Sequence, residues 1–167
     1  YYNISSLLTD EEKAVQQTIR DYVSKNIMPV IAEHFEKHTF PKNLFKDLGE
    51  LGALGANLEG YGCAGMGEVS YGLIMQELER GDSGIRSAVS VQGALCMFPI
   101  HAYANEDVIQ EYLPCMAKGE VIGCFGLSEP DFGANPSGMQ TRATKKGKEY
   151  VLNGNKMWIT NGGLADI

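Results

Sequence analysis

The sequence predicts an α+β chain in which a helical domain, residues 1–120, leads into a β-domain that starts at residue 121 and is still open at residue 167. Three observations predict this. Up to about Glu120 apolar residues recur at helical spacing; beyond it they come in short runs or alternate with polar ones, with turn residues between. Charge divides at the same place: nine Lys and Arg stand against seventeen Asp and Glu before residue 121, and five against four after it. Three or four strands in about 47 residues leave a free sheet edge and an uncovered face, so the sequence reads as part of a longer protein.

The elements follow in order. Thr9-Asp10-Glu11-Glu12 is a capping box, in which the Thr hydroxyl and the Glu carboxylate satisfy orphan amides at a helix start. Val15, Ile19, Tyr22, Val23, Ile27 and Ile31 continue at helical spacing, and Pro29 is expected to kink or split that helix. Pro41 suits a first helical turn, with Leu44, Phe45, Leu48 and Leu51 behind it. Seven glycines between residues 49 and 67 mark a loop and not a phosphate cradle, since the P-loop spacing is not met there. Further helices are expected over 69–80, over 85–103 after interruptions at Gly81 and Gly84, and over 106–117. The apolar run 121–127 has strand length, and Met139, Thr141 and Ala143 alternate with polar residues. Lys146-Gly147-Lys148 reads as a solvated turn before the apolar 150–152, and Asn153-Gly154 as a two-residue hairpin with 156–160 as its return strand.

Composition excludes several function classes. A net charge of −7 makes the chain a poor ligand for nucleic-acid phosphates. No apolar stretch approaches the ~20 residues of a membrane span. Cys63, Cys96, Cys115 and Cys124 form no CxxC pair, and His34, His38 and His101 bring no further ligands, so no metal site is expected. Scattered thiols of this kind favour a reducing, intracellular compartment.

Three segments resemble one family. Residues 124–135, Cys-Phe-Gly-Leu-Ser-Glu-Pro-Asp-Phe-Gly-Ala-Asn, are similar to the first flavin-binding signature of the acyl-CoA dehydrogenases, and 153–161, Asn-Gly-Asn-Lys-Met-Trp-Ile-Thr-Asn, to the second. Upstream, residues 76–87, Gln-Glu-Leu-Glu-Arg-Gly-Asp-Ser-Gly-Ile-Arg-Ser, resemble the glutaryl-CoA dehydrogenase branch. Each motif alone is weak; the three in the family's order are specific, and the resemblance covers essentially the whole chain. The resemblance implies an N-terminal helical domain, a middle β-barrel and a C-terminal helical domain. This chain would hold the first and open the second, with no catalytic residue of its own, since the family's glutamate base belongs to the third.

The activity implied is α,β-dehydrogenation of an acyl-CoA with FAD as cofactor. In the glutaryl-CoA branch it ends in crotonyl-CoA and carbon dioxide, with electrons passed to an electron-transfer flavoprotein. Phe125, Gly126, Leu127 and Ser128 would offer backbone amides and the Ser128 hydroxyl to the flavin. Gly133 and Ala134 would continue that loop, Trp158 and Ile159 would form a wall, and Thr160 would offer a hydroxyl near N5. Where the family has Gly-Ser-Asp this chain has Gly133-Ala134-Asn135, so Ala134 would meet the CoA portion of the substrate with its amide alone. Arg86 and Ser87 would bind the distal carboxylate of a glutaryl group, which is very costly to bury unpaired.

Bland readings stand beside these. Trp158 on a strand is commonly core, Ser128-Glu129-Pro130 an ordinary turn, and Asp82–Arg86 an i,i+4 ion pair, with Glu79 as another partner for Arg86. Competing functions are an acyl-CoA oxidase or a short-chain acyl-CoA dehydrogenase of the same architecture, and a non-catalytic helical interaction module. The family's tetrameric habit implies a homo-oligomer. The resemblance also implies a cytoplasmic location in a bacterium, or the mitochondrial matrix in a eukaryote.

Overall fold

The computed structural model describes residues 3–167. The capping box forms as the sequence predicts: the Glu12 amide donates to Thr9 Oγ1 at 3.2 Å and the Thr9 amide to Glu12 Oε2 at 2.7 Å, opening α1 at Asp10–Tyr22. Short helices α2, Ile31–Glu36, and α3, Leu44–Glu50, follow. The glycine-rich loop leads into α4, Glu68–Gly81, then α5, Ser83–Ser90, α6, Phe98–Tyr103, and α7, Glu106–Ala117.

Two stretches widen into π-helix, Val23–Ile27 after α1 and Val91–Met97 between α5 and α6. Each lies just before a proline, Pro29 and Pro99. A proline has no amide to donate and its ring crowds the carbonyl four residues back, so a wider turn just upstream accommodates it. The helix expected over 85–103 therefore runs without a break but widens in its middle, with the Phe98 amide bonding back to the Gly93 carbonyl. Gly84 does not break α5, which Asp82 caps by accepting the Ile85 amide at 2.9 Å.

Ile19, Val23, Ile27, Phe45, Leu48, Leu54, Ile74, Leu78, Ile85, Met97, Leu113 and Met116 form one continuous buried cluster. Burial of each such side chain stabilises by about 1.5–3 kcal/mol. One charge sits at its edge. Glu77, 1 % exposed, accepts from Arg20 at 2.7 and 3.1 Å and from Arg80 at 2.9 Å, tying α1 to α4. Burial alone would raise this carboxyl; hydrogen bonds from the two guanidinium groups outweigh it and hold it below the usual range.

The second part departs from the predicted strands in three places. Residues 121–127 are extended but are not a strand of a sheet. Their partner is the pair Asp166-Ile167: the Cys124 amide donates to the Ile167 carbonyl at 2.9 Å and the Ile167 amide to the Ile122 carbonyl at 3.3 Å. That is the slanted pattern of a parallel pairing, too short here to be a ladder. The hairpin turn is Gly147-Lys148, with Gly147 at φ 65°, joining β1, Arg142–Lys146, to antiparallel β2, Glu149–Asn153; Lys146 faces Glu149 and Arg142 faces Asn153. Asn153-Gly154 makes no hairpin, because Gly154 is pressed against Thr141, whose Oγ1 would lie 2.1 Å from an added Cβ. Residues 156–159 accordingly run on without a ladder and meet the 125–128 segment through one backbone hydrogen bond.

Candidate functional site

Two arms converge beyond α7. The first, 125–128, is reached through Ile122 and Gly123, both buried. Gln92, fully buried in the π-helical stretch, aims that approach: its Nε2 donates to the Val121 carbonyl at 2.8 Å and the Met116 carbonyl at 3.2 Å, and its Oε1 accepts the Gly123 amide at 2.8 Å. Only glycine fits at 123, since a Cβ there would stand 2.9 Å from Cys96 Sγ. The second arm, 156–160, lies alongside. The Met157 amide donates to the Ser128 carbonyl at 2.9 Å, and Lys156 Nζ to the Leu127 carbonyl at 2.9 Å. An added Cβ on Gly126 would stand 3.3 Å from Lys156 Cγ and 3.7 Å from Ile159 Cδ1.

These arms are rich in unpaired donors. Among the described residues, the amides of Phe125, Gly126, Leu127 and Ser128 donate to no other group of the chain, nor do those of Trp158, Ile159 and Thr160. The Ser128 and Thr160 hydroxyls have no partner either, although both residues are half-buried. Phe125 and Leu127 are exposed, and Trp158 is 86 % exposed with a left-handed backbone at φ 58°. A bulky residue in that region is strained and marks a surface shaped for something other than packing. Trp158 is thus not core. Its wall partner Ile159 is half-buried against Gly126 and Gly162.

The third motif joins through Asn161. This buried residue, at φ 66°, donates its Nδ2 to the Gly123 carbonyl at 3.2 Å and to the Ala88 carbonyl at 3.1 Å, tying both arms to α5 just after Arg86 and Ser87. Arg86 is half-exposed; its Nε donates to Glu79 Oε2 at 2.7 Å and its Nη1 lies 3.4 Å from Ser90 Oγ, while Nη2 has no partner among the described residues. The i,i+4 pair with Asp82 does not form, because that carboxylate caps α5. Hydrogen bonds from Arg86 and Ser83 hold the Glu79 carboxyl below its usual range. Ser87 is half-buried beside Arg86. Gly133 and Ala134 are exposed on the loop after the Glu129–Phe132 bridge, and a Cβ added at Gly133 would meet nothing within 4 Å.

Glu129 has a role its sequence neighbours hide. It reads as part of a turn, yet it is 6 % exposed and accepts the Gln140 amide at 2.6 Å, the Thr141 amide at 2.9 Å and Lys156 Nζ at 2.9 Å. These bonds, led by the Gln140 amide, pull its carboxyl down to about 2. A cleft of about 330 Å³ opens beside it, lined among others by Asp131, Phe132, Thr141, Asn153 and Asn155. That cleft is lined by neither arm and not by Arg86.

Comparison with known proteins decides the family. The acyl-CoA dehydrogenase N-terminal domain matches residues 9–120, and the acyl-CoA dehydrogenase middle domain residues 124–167. This chain belongs to the acyl-CoA dehydrogenase family. A glutaryl-CoA dehydrogenase from Mycobacterium smegmatis, solved in complex with FADH2, is 53 % identical with a TM-score of 0.96, over 98 % of this chain and 42 % of that one. Butyryl-CoA dehydrogenase from Megasphaera elsdenii is 36 % identical with a TM-score of 0.86, over 95 % of this chain and 43 % of that one. The short-chain-specific acyl-CoA dehydrogenase of Clostridium acetobutylicum is 38 % identical over 162 residues, 95 % of this chain and 42 % of its own length. The chain thus spans less than half the length of these relatives. The all-α part followed by a short sheet is the family's fold order. No helix among the described residues is long and apolar enough to cross a membrane.

Proposed function

We propose that this chain is the flavin- and acyl-binding portion of an FAD-dependent acyl-CoA dehydrogenase acting on glutaryl-CoA. The observation that carries the reading is the paired arms: two adjoining segments that together hold seven amides and two hydroxyls unpaired among the described residues, and an exposed indole. That inventory fits a planar ring with several acceptors along one edge, and a flavin is such a ring. FAD, when bound, supplies the two-electron acceptor that no side chain can provide. The chain's residues bind and orient it: the amides of 125–128 and 158–160 and the Ser128 and Thr160 hydroxyls donate, and Trp158 covers an aromatic face.

Glutaryl-CoA is favoured by Arg86. Glu79 takes its Nε and fixes the guanidinium plane, leaving the Nη edge able to meet a carboxylate as a fork, with Ser87 beside it. The 53 % identity to a glutaryl-CoA dehydrogenase supports the same substrate. Glu129 is unsuited as the α-proton base, since its oxygens are occupied and its carboxyl lies at about 2. The base is assigned to a part of the protein outside these residues, and an electron-transfer flavoprotein is the proposed electron acceptor. A second reading, a short straight-chain acyl-CoA as substrate, is favoured by the Glu79–Arg86 pair, which already neutralises the guanidinium.

The test is Arg86→Ala in the full-length protein, assayed with glutaryl-CoA and butyryl-CoA. Losing the partner of a buried carboxylate costs about 3–5 kcal/mol. Because Arg86 is partly exposed the low end applies, roughly a hundredfold in kcat/KM for glutaryl-CoA. Butyryl-CoA carries no terminal charge and should change little. Equal losses on both substrates would refute the specificity role.

A further inference from the structure

Lys156 joins two tasks. Its Nζ donates to the Leu127 carbonyl and to Glu129 Oε1, both at 2.9 Å, and the ammonium is mostly buried, with a side chain 21 % exposed. Glu129 in turn collects the amides of Gln140 and Thr141. One carboxylate and one ammonium therefore lock three separate segments: the first arm, the entry to β1 and the second arm.

The consequence for the arm is stereochemical. In a trans peptide the C=O and the next N–H point opposite ways. With the Leu127 carbonyl drawn inward to Lys156, the Ser128 amide must point outward, onto the face of the arm opposite Lys156. The following peptide is fixed in the same manner: the Ser128 carbonyl accepts from the Met157 amide, and the Glu129 amide turns away to the Phe132 carbonyl at 3.1 Å. Electrostatics add a second effect. The ammonium is one hydrogen bond behind the peptide that presents the Ser128 amide, and Glu129 balances its charge. Any ring seated on that face senses the balance of the pair.

We propose that Lys156 and Glu129 form a positioning pair that aims the Ser128 amide at the flavin and, through its charge balance, sets the ease of flavin reduction. The inference rests on the flavin reading above. It makes a signed statement about two variants. Lys156→Met removes the ammonium and leaves the Glu129 carboxylate uncompensated, so reduced flavin, which carries additional negative charge, is disfavoured. Glu129→Gln does the opposite and leaves the ammonium uncompensated. Lys156→Arg keeps both the charge and the donors.

The experiment uses the full-length protein, measuring FAD affinity by titration of the apoprotein and the flavin midpoint potential by dye-equilibrated reduction. Lys156→Met is expected to weaken FAD binding about tenfold, the loss of one aimed donor, and to lower the potential. Glu129→Gln is expected to raise it, and Lys156→Arg to restore the wild-type potential. A purely architectural pair would weaken FAD retention in both variants without opposite shifts. Shifts of the same sign, or none, in variants that hold FAD would therefore overturn the proposal. If Lys156→Met is recovered only as aggregate, Glu129→Gln decides: an unchanged or lowered potential overturns it. If the unaltered protein holds no FAD, the flavin reading falls and this inference with it.

Discussion

Gln92→Leu should be among the most damaging single changes in the helical part, and it should be felt in the flavin arm. Gln92 is fully buried and makes three hydrogen bonds to the backbone around the first arm. The Met116 carbonyl keeps another donor, the Gly119 amide at 3.1 Å, so it is not orphaned by the change. The Gly123 amide and the Val121 carbonyl lose their partners, at about 1–3 kcal/mol each. A leucine of similar size recovers about 1–2 kcal/mol through its apolar surface. The net loss is then about 3 kcal/mol, a sizeable part of a typical total of ~5–15 kcal/mol. Urea unfolding followed by circular dichroism measures it, with FAD retention as a second readout. Gln92→Glu separates the two contacts, since it can still accept from Gly123 but cannot donate to Val121. A Gln92→Leu protein within ~0.5 kcal/mol of wild type would refute the reasoning, because such a change is that of an ordinary surface site.

Two further predictions follow from the same residues. Glu129 has a folded-state carboxyl at about 2, below the reference 4.5. Its contribution to stability is therefore complete above pH ~4.5 and is lost as pH falls toward ~2. In acid titrations the stability gap between wild type and Glu129→Gln should narrow across that window, and a constant gap would contradict the assignment. The 167-residue chain alone, supplied with FAD and glutaryl-CoA, should reduce no dye, because the carboxylate beside the arms, Glu129, already has its oxygens occupied; measurable turnover would contradict this.

Local signals were legible where the deciding interaction was local. The Thr9 box and the bounds of α7 follow from capping residues and apolar spacing a few positions apart. The misread elements were decided by distant partners. Asn153-Gly154 has the composition of a hairpin turn, but its backbone is fixed by Thr141, and the one reversal that forms is at Gly147-Lys148, within the turn also expected from sequence. The 121–127 run has strand composition, yet it is held by the Gln92 side chain and by Asp166-Ile167. Asp82 and Arg86 have ion-pair spacing, but Asp82 caps α5 and Arg86 turns to Glu79. In the candidate site, the motif residues were visible as letters, whereas the parts that hold them were not. Nothing local distinguishes Glu129 in a Ser-Glu-Pro turn from a solvated carboxylate, or Asn161 from a loop asparagine. Their roles come from Lys156, Gln140, Ala88 and Gly123, which the fold alone brings near.

The central claim is that the unpaired amides of 125–128 and 158–160 face the flavin. Amide hydrogen exchange of the full-length protein, with and without FAD, tests it most directly. Free of FAD, these amides should exchange far faster than those of α4 or α7, since they lack intrachain acceptors. With FAD bound, both segments should become protected together while the β1–β2 hairpin remains unchanged. Saturating FAD that leaves 125–128 and 158–160 as exchangeable as before, with protection elsewhere, would contradict the account.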